Sequence, residues 1–99
     1  MLKCDLHLHS KEDEPWIKHT AKELIDVAEK LNFDVLSFTF HDRLFYPEEL
    51  VEYAKSKNIL LIPGAELTLE GKHVLVYGLK DVSNIKTIND LRKVKENEN

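Results

Sequence analysis

The sequence has one cysteine, no glutamine, three glycines and three prolines in 99 residues. A lone cysteine excludes an internal disulfide and fits a reducing compartment, so a cytoplasmic protein is expected. With glutamine missing and lysine and glutamate plentiful, the composition leans towards heat adaptation. No apolar run approaches the ~18 residues of a bilayer-crossing helix. The N-terminus lacks the charged-then-apolar plan of a signal peptide. There is no basic excess: 14 Lys and Arg against 18 Asp and Glu leave a net charge of −4. That gives no strong signal for nucleic-acid binding and none for a membrane surface. With 42% hydrophobic and 32% charged residues and no repeat or low-complexity linker, residues 1–99 read as one small domain with a modest core.

What the sequence does have is periodicity. Residues 2–9 (LKCDLHLH) alternate strictly, which predicts a first strand with Leu2, Cys4, Leu6 and Leu8 on one side and Asp5, His7 and His9 on the other. Either that polar side faces solvent or it is the working face. A polar loop, residues 10–16, follows. Thr20 and Glu23 have capping-box spacing, and Ala21, Leu24, Ile25, Ala28 and Leu31 form an apolar stripe at helical spacing, stopped at Asn32. Residues 34–41 (DVLSFTFH) read as a second strand. Pro47 suits a first helical position, Glu48 and Glu49 suit the N-terminal dipole, and Asn58 ends that helix after about Ser56. Residues 59–62 (ILLI) are wholly apolar, as in a strand covered on both faces, and Pro63-Gly64 breaks them. A turn at Glu70, Gly71 and Lys72 leads into a strand over residues 73–79, and Ile85, Ile88, Leu91 and Val94 predict a helix over 84–94. The last five residues, KENEN, are expected to fray. The order β-α-β-α-β-β-α argues for an α/β fold with about four mostly parallel strands and outer helices.

In such folds, sites are built at the C-terminal ends of the strands. His7, His9, His41 and Glu66 fall there, with His73 just behind a turn. Period two sets His7 and His9 on one face, about 7 Å apart along the strand. Two imidazoles so spaced can converge on one metal, and a carboxylate can complete or bridge the site. That donor set suits zinc, manganese or iron better than calcium. Each residue alone also has a bland reading: a solvated strand face, a structural histidine, a loop charge. Their joint position is what points to a metal. One tension is visible. A hairpin turning on Gly71-Lys72 sets Glu66 opposite Tyr77, about 13 Å along the strand from His73, too far for a shared ion.

The run DLHLHS (residues 5–10) resembles the first motif of the polymerase-and-histidinol-phosphatase (PHP) superfamily. TFHD (39–42) resembles its Thr-Asp-His motif, PGAELT (63–68) its Gly-x-Glu segment, and HVLVYG (73–78) the histidine-led strand that follows. The resemblance implies a distorted seven-stranded (βα) barrel that binds one to three divalent metals and hydrolyses phosphate esters. It implies His7 and His9 on a first metal, Glu66 bridging to a second that His73 also binds, and His41 on a third with Glu14, or alternatively Asp13. On this reading metal-activated water is the nucleophile and activity depends on Glu66. Arg43 and Lys72, near the same edge, could hold a phosphate, although surface charge explains each as well.

Two departures stand out. Phe40 replaces the acid of Thr-Asp-His, which weakens the third site. The family's later histidine and Asp-x-His motifs have no counterpart after Val74, since Asp81 and Asp90 stand in other contexts. The resemblance therefore implies the first half of the family's domain, or a shortened member. An open half-barrel would leave the apolar strand at 59–62 bare, and a homo-oligomer is the simplest cover. The leading expectation is a metal-dependent phosphoesterase acting on a small phosphorylated substrate or nucleotide. The alternatives are a catalytically incomplete metal-binding or assembly module, and a structural subunit that pairs with a separate second half.

Overall fold

The computed structural model describes residues 1–98. The elements run β1 (Cys4–Leu8), α1 (Ala21–Lys30), β2 (Val35–His41), α2 (Glu48–Ser56), β3 (Leu60–Leu61), β4 (Gly64–Leu69), β5 (Lys72–Tyr77) and α3 (Ile88–Glu98). The sheet runs β1-β2-β4-β5, with β3 also on β2. Among the described residues β1, β3 and β4 all pair with β2 in parallel, and only β4–β5 is antiparallel. This is the α/β, mostly parallel arrangement that the element order implies.

The helix ends follow local chemistry. Thr20 caps α1 through the Glu23 amide while Glu23 reaches back to the Thr20 amide. Asn32 and Asn58 both sit at φ 61°, in the left-handed region. After each, the next residue closes a Schellman loop: Phe33 N–H donates to Ala28 O and Ile59 N–H to Ala54 O, both at 2.9 Å. Each loop turns its chain straight into the following strand. Pro47 is the N-cap of α2 rather than its first residue. α3 begins at Ile88, four residues later than expected from residue 84, because Thr87 and Asp90 cap it reciprocally. It runs through Glu98, so residues 95–98 are helical; Asn99 lies outside the described residues.

The three helices among the described residues cover one face. Leu36, Phe38 and Phe40 of β2 pack with Ile25 and Ala28 of α1 and Ala54 of α2. Ala65, Leu67 and Leu69 of β4 pack with Ile88, Leu91 and Val94 of α3. The strand expected at 59–62 shrinks to two paired residues, because the chain breaks at Ile62 and resumes against the upper half of β2 as β4. Nor is it bare: Ile59 and Leu61 are 1% and 3% exposed within the α2 cluster, and only Leu60 is open. These two residues therefore give no drive for self-association.

The other face is concave and lined by small or polar side chains, among them Ser37, Thr39, Gly64 and Glu66. The sheet curls far enough that Tyr77, on edge strand β5, donates its hydroxyl to Leu6 O on edge strand β1. Gly64 makes the curl possible. A Cβ there would stand 2.4 Å from Ser37 Oγ, 3.0 Å from Tyr77 Cδ1 and 3.1 Å from Thr39 Cγ2. Gly64→Ala is expected to destabilise the protein by roughly 1–3 kcal/mol through overpacking, read from urea midpoints. An unchanged midpoint would mean that Tyr77 does not lie over Gly64.

Candidate metal centre

A bulge in β1 aims the two histidines. Cys4 and Asp5 pair with Val35 and Leu36, but the next pair is Leu8 with Phe38, so three steps along β1 match two along β2. The Asp5 carboxylate accepts the His7 N–H at 3.2 Å, a local bond of the kind Asp makes in turns. Asp5, paired with Leu36, stays on the helix-covered face beside Leu8, Leu24 and Val27. His7 and His9 turn onto the concave face. Strict alternation had grouped Asp5 with the histidines; the extra residue separates them, as bulges commonly do.

Glu66 is the hub. It lies on β4 opposite His41, the last residue of β2, and is 8% exposed. Its Oε1 is 2.8 Å from His7 Nε2, 2.8 Å from His9 Nε2 and 3.9 Å from His41 Nε2. Its Oε2 is 3.3 Å from His73 Nδ1. That last contact removes the tension in the hairpin. The turn is on Glu70 and Gly71, at φ 51° and 78°, not on Gly71 and Lys72. Glu66 therefore faces Leu75 rather than Tyr77, and His73, opposite Thr68, is its diagonal neighbour.

Two acids of the β1–α1 loop stand behind the histidines. Asp13 Oδ2 is 2.8 Å from His9 Nδ1 and 3.0 Å from His41 Nδ1. Glu14 Oε1 is 2.6 Å from the same His41 Nδ1. Sequence reasoning offered Asp13 and Glu14 as alternatives; both reach His41. Phe40 is fully buried on the helix side, stacked on Phe45 at 4.2 Å between centroids. A residue at position 40 faces away from His41, whose orientation comes from the loop acids instead.

The two basic candidates part company. Arg43 Nη2 donates to Glu12 O at 2.9 Å and lies 3.9 Å from Asp13 Oδ1, so it borders the cluster while pinning the loop. Lys72 is exposed and pairs with Leu69, which puts it on the face of Val74 and Val76. The fold does not bring Lys72 to the histidines. The Ser10 hydroxyl, next to His9, is buried without a hydrogen-bond partner, and nothing in the structure explains it.

Among the described residues, two groups have ligand atoms close enough to hold a cation: His7, His9 and Glu66, and His9, Asp13 and His41. The electrostatics favour charged carboxylates. Burial pushes Glu66 up, but hydrogen bonding to His7 and His9 outweighs it and holds the carboxyl below its ordinary value of 4.5. Asp13 behaves alike: burial raises it, and bonds to His9 and to the His41 backbone and ring leave it below 3.8. Depressed folded-state values contribute stability above the unfolded value and lose it as pH falls through the folded one. Metal-free protein should therefore lose stability below about pH 4.5, and Glu66→Gln should flatten part of that slope. Parallel denaturation curves for wild type and variant between pH 5 and 3 (roughly the range in which these carboxyls protonate) would show that Glu66 gains nothing from its histidines.

No protein-family model matches the chain, and no curated protein matches it.

Proposed function

We propose that the protein is a divalent-metal-dependent hydrolase of phosphate esters of the PHP type, using zinc, manganese or iron. The observation that carries this is the convergence of His7 Nε2 and His9 Nε2 on Glu66 Oε1, each at 2.8 Å, at the C-terminal edge of parallel strands. The curled, mostly parallel sheet with helices on one face supports the same reading, as about half of the seven-stranded barrel that the motifs imply.

The donor set fits an ion. His9 faces a carboxylate at both ring nitrogens, Asp13 at Nδ1 and Glu66 at Nε2. A neutral imidazole carries one N–H and can serve only one of them. A cation on Nε2, with Nδ1–H donated to the carboxylate behind, is the usual arrangement of a metal-bound histidine. His7, His9 and Glu66 would hold the first ion, His73 with Glu66 a second, and His41 with Glu14 a third. Bound ions supply charge that acidifies water and neutralises phosphate oxygens.

The chain's own residues do the rest. His7 and His73, with side chains 52% and 65% exposed, leave the cluster open to a substrate. Arg43, half-exposed beside Asp13, offers guanidinium donors to a phosphate oxygen. Self-association keeps a basis in Leu6, Leu75 and Tyr77, which are 39%, 36% and 38% exposed. A second reading, a metal-binding module without turnover, is favoured by what occupies the later acids. Asp81 accepts the Ser83 N–H at 2.9 Å, and Asp90 accepts from Lys86 at 2.9 Å and Thr87 at 3.1 Å.

Elemental analysis should find at least one equivalent of divalent metal per chain after loading. His7→Ala should weaken uptake more than His41→Ala, since His41 stands farther from Glu66. Loaded protein should hydrolyse a generic phosphate ester, and Glu66→Gln should abolish this. No uptake would overturn the proposal; uptake with no hydrolysis would select the module reading.

A further inference from the structure

We infer that Asp13 is a positioning residue for two histidines at once, not a metal ligand: it takes His9 and His41 by their Nδ1 atoms and turns both Nε2 atoms towards Glu66. For its metal arm the inference rests on the reading above. The two imidazole rings stack, with centroids 4.4 Å apart and planes 17° from parallel. At one end of the stack, Asp13 Oδ2 lies 2.8 Å and 3.0 Å from the two Nδ1 atoms. At the other end, Glu66 Oε1 lies 2.8 Å and 3.9 Å from the two Nε2 atoms. Two parallel rings between two carboxylates can hardly exchange ends: flipping either ring would break contacts at both.

Asp13 has further partners. Besides the two rings, its Oδ2 accepts the His41 backbone N–H at 3.2 Å, and Arg43 Nη2 stands 3.9 Å from Oδ1. Its side chain is only 4% exposed, and its own N–H donates to Ser10 O at 2.9 Å, which fixes the loop beneath it. A carboxylate so held orients its neighbours: both rings reach it through Nδ1, which leaves both Nε2 atoms to an ion. Glu14 differs. Among the described residues it touches the cluster only through His41 Nδ1, at 2.6 Å, and its side chain is 20% exposed. Of the two loop acids that the sequence left open as ligands, Asp13 alone reaches both rings, each through its Nδ1.

The test reads ring tautomers in uniformly 15N-labelled protein by long-range 1H–15N correlation. In wild type, with or without zinc, Nδ1 of both His9 and His41 should carry a hydrogen-bonded proton. A bare Nδ1 on either ring in either state would overturn the inference, and this needs no variant that could misfold. In Asp13→Asn, the Nδ1–H signals should shift or vanish for both rings together. Zinc titration of the same variant should keep the wild-type number of equivalents while affinity falls about 10- to 100-fold, as for loss of a group behind a ligand. Loss of a whole equivalent would make Asp13 a ligand and overturn the inference. If wild type takes up no zinc, the metal reading fails separately, and the metal-free spectra still decide the role of Asp13.

Discussion

A carboxylate almost wholly withdrawn from water has to be surrounded by donors or cations, because an unpaired one would cost more than a small domain can spare. Glu66 and Asp13 impose that constraint twice, within one cluster. Much of the local backbone answers to it. The bulge in β1 turns His7 and His9 towards Glu66, the tight turn at Glu70-Gly71 sets His73 diagonal to it, and the β1–α1 loop folds back to slide Asp13 behind His9 and His41. Asp42 belongs to the same scheme: at φ 57° it donates its N–H to Glu66 O and accepts the Thr68 N–H, locking the end of β2 to β4.

Such a polar face is tolerable because the apolar face is settled elsewhere. Three helices and two contiguous clusters bury the convex side of the sheet, so the concave side need not contribute a hydrophobic core. It can be lined with Ser37, Thr39 and Gly64, small enough for the sheet to curl until Tyr77 reaches across to Leu6. Curling matters to the site. His7 on β1 and Glu66 on β4 meet at 2.8 Å across the intervening β2. The strand order β1-β2-β4 thus converges on a single carboxylate on the concave side.

The parts of this that were legible in the sequence share a cause: they are local or periodic. The Thr20 capping box, the asparagine stops at 32 and 58 and the helix stripes each involve residues within a turn or two of one another. The clustering of His7, His9, His41 and Glu66 was legible too, since strand ends of a parallel sheet fall on one edge. What escaped was registration. A bulge adds one residue to a strand and leaves the hydrophobic pattern almost intact, so Asp5 looked like a companion of His7. A one-residue shift of the turn, from Gly71-Lys72 to Glu70-Gly71, changes every cross-strand pair, and with it the neighbour of His73. The later start of α3 was readable, because Thr87 and Asp90 repeat the capping-box spacing seen at Thr20 and Glu23. The shared role of Asp13 was not, since it depends on how a loop folds over a strand end.

The charge pattern of the finished cluster favours a cation from outside. Asp13, Glu14 and Glu66 bring three carboxylates around four imidazoles, with Arg43 at the rim tied to Glu12 O. Carboxylates so close raise one another's cost of ionisation, yet Asp13 and Glu66 are held below their ordinary values by their histidines. The balance is kept by whatever sits on the Nε2 atoms facing Glu66. Protons can do it, and so could a divalent ion; the two would compete for the same nitrogens, so that any affinity for metal would fall as pH is lowered. Asp13, working on the opposite side of the rings, keeps those nitrogens aimed at Glu66 whichever occupant is present.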